Sequence, residues 1–211
     1  CSFVRSCLEE GLSGELPPLD GLVTCNTCDH IRRLYDVWAR YLSPPFHRQL
    51  CLPCHFGPSA LDYFHQELVR FKEALEGHFG VEITDEALRE SICLYNRMRR
   101  LLHRLYDLRK EQYPPIRGSE VLEIIRAGMV LPKGEYLEML AELLIELEAV
   151  SGRCRTEDGP RLLILGSELD DPDYLQTIEE MGAVVVADDL CSGSRYFWDL
   201  VDEEGDPLEA L

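Results

Sequence analysis

The chain has 211 residues, with 21 basic side chains against 39 acidic ones, a formal net charge of −18. That length fits one large domain or two small ones, and 45% hydrophobic content is enough to build apolar cores. So acidic a surface repels phosphate backbones and anionic lipid, which excludes nucleic acid and membrane surfaces as expected partners; no apolar run approaches the roughly 20 residues of a spanning helix. The expectation is a soluble, cytoplasmic protein. The chain opens at Cys1 without an initiator Met and closes on Asp206-Pro207-Leu208-Glu209-Ala210-Leu211, the pattern of a helix just starting. It is therefore read as a fragment truncated at both ends. Nine cysteines, with two Cys-x-x-Cys pairs and no secretion signal, point to metal ligation or reactive thiols rather than to a disulfide framework.

In chain order, Cys1 to Leu19 is broken by Gly11, Gly14, Pro17 and Pro18 and reads as loop with one helical turn. Gly21–Cys25 is apolar enough for a buried strand. Asn26-Thr27-Cys28-Asp29 offers capping residues for a helix that places Ile31, Leu34, Tyr35 and Trp38 on one stripe and ends at Pro44-Pro45. Gln49–Leu52 is a second strand, and strand, helix, strand in that order predicts a parallel βαβ unit. Leu61, Phe64, Leu68, Phe71 and Leu75 then recur at helical spacing, with Gly77 and Gly80 as the stop. Thr84 reads as the N-cap of a long helix running to Lys110, and two shorter helices are predicted around Glu120–Ala127 and Gly134–Val150.

A polar seam at Ser151–Pro160 separates this helical region from a new period. Arg161–Leu165 reads as a buried strand, Pro172–Met181 as a helix with Pro at its first turn, and Ala183–Ala187 as another buried strand. The fold class predicted is α/β, with doubly wound Rossmann- or flavodoxin-like domains and a helical insertion. The expected organisation is a first strand–helix–strand unit at 1–57, a helical region at 58–152 packing on it, and the start of a second, incomplete α/β domain at 160–211.

Three constellations carry possible chemistry. Cys25, Cys28, Cys51 and Cys54 have a spacing near that of a zinc ribbon, but the first pair joins a buried strand to an amphipathic helix, in a core that needs no metal staple. Two readings stay open: a zinc site, or Cys25, Cys51 and Cys54 as small core residues. Cys28 stands apart. It lies at the C-terminal edge of a predicted parallel strand and at a helix start, where free amides favour a thiolate and the negative charge of a thiolate-ligated cluster. The second constellation, Asp188-Asp189-Leu190-Cys191-Ser192-Gly193-Ser194-Arg195-Tyr196-Phe197, also follows a strand. It reads either as a turn in which Asp189 caps the next helix and Arg195 pairs with Asp188, or as part of a site. The third is a basic helix face of Arg97, Arg100 and Arg104, with Arg99, His103, Arg109 and Lys110 nearby, read as a solvated surface. No Gly-x-Gly-x-x-Gly or Walker-type loop is present.

Taken together, Cys1–Ser6, Asn26–Trp38, Leu94–Arg99, Leu165–Asp170 and Asp188–Phe197 resemble the subunits of 2-hydroxyacyl-CoA dehydratases and benzoyl-CoA reductases. The resemblance runs over essentially the whole chain. It implies a [4Fe-4S] cluster with Cys1 and Cys28 as its first two ligands and a third beyond Leu211; Cys191 is a substitute candidate. It also implies a homologous second subunit, an ATP-dependent iron–sulfur activator that delivers single low-potential electrons, and a CoA thioester substrate reduced to a ketyl radical. Ser194 and Arg195 are the candidates for orienting the cluster or touching substrate. Cys51 and Cys54 depart from the family pattern, which keeps open a zinc-binding or non-catalytic partner subunit as the alternative.

Overall fold

The computed structural model describes residues 2–151, 159–169 and 171–211 of the chain. The seam at 151–160 therefore lies mostly outside the described residues. The chain divides into two compact units, Cys1–Leu88 with Glu204–Leu211, and Arg89–Glu203. Both are mixed α/β, each built around a two-stranded parallel sheet.

In the first unit, α1 (Ser2–Ser13) precedes β1 (Gly21–Cys25), α2 (Asp29–Tyr41), β2 (Phe46–Leu50) and α3 (Pro58–Phe79), and α8 (Pro207–Ala210) packs on α3. The segment at 2–13 is thus a full helix, not one turn. Val4, Cys7, Leu8 and Gly11 fall on one stripe, and Gly11 approaches α2 so closely that a Cβ there would stand 2.7 Å from Leu42 Cδ1 and 3.0 Å from the Trp38 ring. Contact with α2, rather than local propensity, supports this helix. β1 and β2 run parallel in the register Gly21↔Phe46 to Cys25↔Leu50, as the strand–helix–strand pattern predicts, with β2 beginning earlier than its apolar run. Leu34, Trp38, Phe46 and Ala60 are buried, and each buried side chain of this size contributes about 1.5–3 kcal/mol, less for Ala. Gly80, in the left-handed conformation at φ 66°, ends α3, while Gly77 lies within the helix and does not stop it.

The second unit holds most of α4 (Asp85–Arg109), then α5 (Gly118–Val130), α6 (Lys133–Val150), β3 (Arg161–Leu165), α7 (Asp173–Glu180) and β4 (Val184–Asp189). Thr84 caps α4 as expected, its hydroxyl accepting the Ala87 N–H at 3.2 Å. Met98, Leu102 and Leu105 of α4 meet Val121 and Ile125 of α5, Leu140 and Leu144 of α6, and Phe197 in one apolar core. At the other end of α4, the Arg161 guanidinium donates to the carbonyls of Arg109, Lys110 and Glu111, a cation placed on the negative helix terminus.

Two expectations are corrected here. β3 is not a buried strand: Leu163 and Leu165 are 56% and 67% exposed, because among the described residues β3 pairs only with β4 and nothing covers that face. β4 also extends two residues further than its apolar run, so Asp188 and Asp189 are strand residues paired opposite Ile164 and Leu165.

The start of α5 is held from outside the helix. The carboxylate of Glu179, on α7 and itself buried, accepts the Gly118 N–H at 2.6 Å, the Ser119 N–H at 3.3 Å and the Ser119 hydroxyl at 2.6 Å. Those amides have no partner within α5. Glu179→Ala should cost about 2–3 kcal/mol by stranding buried donors, and the neighbouring exposed Glu180→Ala close to nothing. Urea unfolding of the two variants side by side checks this; equal midpoints would remove the role assigned to Glu179.

Candidate functional site

Each unit presents cysteine chemistry at the C-terminal edge of its parallel sheet, the edge where α/β folds place ligands. In the first unit the edge is built on Asn26. Its backbone N–H continues the ladder to the Leu50 carbonyl at 3.1 Å. Its side chain then clamps the loop after β2, Oδ1 accepting the Leu52 N–H at 2.7 Å and Nδ2 donating to the Leu52 carbonyl at 3.3 Å. One amide thus joins the segment carrying Cys25 and Cys28 to the segment carrying Cys51 and Cys54.

Cys28 occupies the N-cap of α2 in an extended conformation, φ −153° and ψ 166°, and its side chain makes no capping hydrogen bond. The position is exposed. A Ser, Thr, Asp or Asn here would satisfy one of the amides of the first turn; a thiol caps weakly and leaves them without a side-chain cap. Cys25 differs. Half-buried, it has its thiol pKa pushed up by desolvation, which suits a core residue more than a thiolate ligand. Cys51 stands beside Tyr63, whose hydroxyl pKa is raised by desolvation first and by Cys51 second. Among the described residues, no three His, Cys, Asp or Glu side chains stand close enough to share a metal ion, so Cys25, Cys28, Cys51 and Cys54 do not converge as a zinc ribbon's ligands do. Cys1 lies outside the described residues.

In the second unit the edge is the end of β4, and its wiring departs from the sequence expectation. Asp188 does not pair with Arg195. Its carboxylate turns inward, where Oδ2 accepts the Tyr106 hydroxyl at 2.7 Å and Arg109 Nη1 at 2.6 Å, and Oδ1 accepts the Ser194 N–H at 2.8 Å. The side chains of Arg109 and Asp188 are 1% and 6% exposed. Arg109 also stacks on Tyr106, its Cζ 4.5 Å from the ring centroid, and is no part of a solvated basic face. Burial, and then the Asp188 carboxylate, raise the Tyr106 pKa well above the ordinary phenol range, so the hydroxyl remains a donor at any working pH.

Asp189 caps no helix. It takes a bidentate ion pair from Arg195, at 2.6 and 2.8 Å, and the same guanidinium donates to the Gly166 carbonyl at 3.1 Å and reaches Cys191 Sγ at 3.8 Å. Hydrogen bonding to Arg195 holds the Asp189 carboxyl below its usual range, so the pair persists above the ordinary carboxylate pKa and is lost only as pH falls through the depressed value. Arg195 and Cys191 face solvent; Ser194 is buried, with its hydroxyl committed to the Asp188 carbonyl at 2.8 Å. On the remaining basic face, Arg100 and Arg104 are answered by Glu203 and Glu148, each at 2.6 Å.

The sequence pattern offers Asn26 as a capping residue and Arg109 as part of a basic face, and does not single out Tyr106; the structure gives all three other roles. A signal for Arg109 was present: it continues the buried row Met98, Leu102, Leu105 at helical spacing, where a charge demands a partner.

The family model for the 2-hydroxyglutaryl-CoA dehydratase D-component matches residues 1–211, the whole chain. The chain belongs to that family. Within it, the chain is 33% identical over 214 residues to a benzoyl-CoA reductase subunit of Thauera aromatica. It is 29% identical over 222 residues to the beta subunit of (R)-2-hydroxyglutaryl-CoA dehydratase of Acidaminococcus fermentans, and 25% over 213 residues to the (R)-phenyllactyl-CoA dehydratase beta subunit of Clostridium sporogenes. Each alignment takes in all of this chain and 55–56% of the relative, so the chain spans about half the length of the curated relatives it matches.

If the thiol at 28 is kept for a ligand rather than for capping, a true cap should improve the helix. Cys28→Asp is expected to raise the stability of the metal-free protein by about 1 kcal/mol, read as a higher unfolding midpoint. A lower midpoint would make Cys28 a structural residue.

Proposed function

We propose that this chain is part of an iron–sulfur subunit of a 2-hydroxyacyl-CoA dehydratase or benzoyl-CoA reductase type enzyme. The observation that carries the proposal is the exposed thiol of Cys28, which makes no capping hydrogen bond, at the start of α2 and just after β1, in a chain that matches the family along its whole length. The donor chemistry fits a thiolate-bound cluster: an uncapped helix N-terminus favours a thiolate and net negative charge beside it. Cys28 and Cys1 are the ligands proposed here for a [4Fe-4S] cluster, with a third donor lying beyond Leu211. When bound, that cluster supplies single-electron transfer, received from an ATP-dependent iron–sulfur activator and passed to a CoA thioester.

The chain's own residues serve that chemistry by positioning. Asn26 fixes the height of the 26–28 segment above the sheet through its two bonds to Leu52. Arg195, held by Asp189 and Gly166, offers an exposed guanidinium that can meet an anionic substrate group, and buried Ser194 supports the loop beneath it. Cys191 is a free, exposed thiol beside that guanidinium and a reserve ligand candidate. The doubly wound arrangement, a second α/β domain opening at 160–211, a homologous second subunit and a cytoplasmic setting belong to the same proposal. Relatives named as subunits of such enzymes support it.

The test is metal and sulfide analysis of the full reading frame purified without oxygen, wild type beside Cys28→Ala. About four irons and four acid-labile sulfides per chain in the wild type, lost in the variant, are expected. One zinc with no sulfide, unaffected by the substitution, would overturn the proposal.

A further inference from the structure

The buried end of β4 uses more charge than folding requires. A guanidinium and a carboxylate at 1% and 6% exposure lie side by side, and Arg109 Nε has no hydrogen-bond partner among the described residues. Replacing such a pair with apolar residues often leaves stability unchanged or raises it, so bulk stability is a poor account of why the pair is there.

Its geometry suggests a different use. The Asp188 carboxylate closes the loop that follows it: Oδ1 accepts the Ser194 N–H, and the Asp188 carbonyl accepts the Ser194 hydroxyl. Gly193 makes room for this closure, since a Cβ there would stand 2.1 Å from Asp188 Oδ1. At the loop's far end Phe197, fully buried, packs edge-on against Tyr106 at 4.8 Å between ring centroids. Tyr106 therefore holds both ends, Asp188 through its hydroxyl and Phe197 through its ring. What remains outside is Cys191 and Arg195, linked by the guanidinium–sulfur contact of 3.8 Å.

We propose that Asp188, fixed by Arg109 and Tyr106, is a positioning residue that presents Cys191 and Arg195 as one preorganised pair at the β3–β4 edge. This rests on reading the 188–195 loop as part of the reaction site. No proton moves in the proposal. The triad acts through the loop's geometry, with Tyr106 remaining a donor and Asp188 an acceptor.

The experiment uses the full-length protein and two measurements that need neither cluster nor turnover: peptide-resolved hydrogen exchange, and the alkylation rate of each cysteine by iodoacetamide read by mass spectrometry. Arg195→Ala sets the Cys191 rate without its guanidinium. Tyr106→Phe keeps both ring contacts and removes only the hydroxyl. It is expected to speed exchange across 188–197 about tenfold, the effect of one charge-assisted hydrogen bond, and to move the Cys191 rate about threefold or more toward the Arg195→Ala value, with Cys54 unchanged. The paired variant Arg109→Met with Asp188→Asn removes both charges together and leaves neither buried without its partner, so it should unfold near the wild-type midpoint and still show the altered Cys191 rate. Wild-type exchange and a wild-type Cys191 rate in Tyr106→Phe would overturn the proposal, as would a wild-type rate in the stable paired variant. Turnover of the assembled enzyme with Arg195→Ala bears separately on the site reading: full activity there, with the loop measurements as expected, would sink the role of the loop in the reaction and leave the positioning intact.

Discussion

A guanidinium cannot sit in an apolar core unless something answers its charge, and in the second unit that requirement organises everything near it. Arg109 ends α4 beneath β4, and Asp188 must come to it. The strand is consequently drawn two residues past its apolar run, and the loop beyond it is folded back onto the carboxylate through Ser194. Tyr106, one turn earlier on α4, shares the same oxygen and carries Phe197 on its ring. Helix, strand and loop are thus joined at a single buried carboxylate.

Helix N-termini supply the second organising theme. Each leaves amides without partners, and the chain answers them differently according to what the place is for. Thr84 caps α4 from its own sequence, and Asp206 does the same for α8, accepting from Leu208 and Glu209. The start of α5 is met from another helix by Glu179, which converts a local capping need into a tertiary contact. At α2 the cap position is given to Cys28, a weak cap and a good ligand. Local stability is forgone at the point where the proposed chemistry needs a free sulfur.

Much of the fold could be read along the chain because it is written in periods and breaks. The stripe Ile31, Leu34, Tyr35, Trp38 and the row Leu61 to Leu75 mark their helices, Thr84 and Gly80 mark ends, and Gly21–Cys25 marks a strand whose limits agree with the structure. The misreadings share a cause. The helix at Ser2–Ser13 contains glycine and is supported by contact with Trp38 and Leu42, which no local rule reports. β3 looked buried because Leu162 to Leu165 are all apolar, yet burial depends on what lies across the sheet. Asp188 and Asp189 read as loop residues because carboxylates are depleted in strands, and the ion pairs that hold these two, to Arg109 and Arg195, are not marked along the chain.

By itself, the sequence determined the α/β class, the parallel pairing of β1 with β2, the family, and the place of Cys28 at a strand's edge and a helix start. These follow from composition, period, capping and motif, all of them local or alignable along the chain. Only the tertiary structure decided which arginine is buried and which carboxylate answers it, that Asp189 rather than Asp188 holds Arg195, and that Asn26 ties the two cysteine-bearing loops together. Arg109 and Asp188 are 79 positions apart. Charges along a chain carry no record of their partners; a pair is chosen when packing removes water from both, and that happens only once the core has formed.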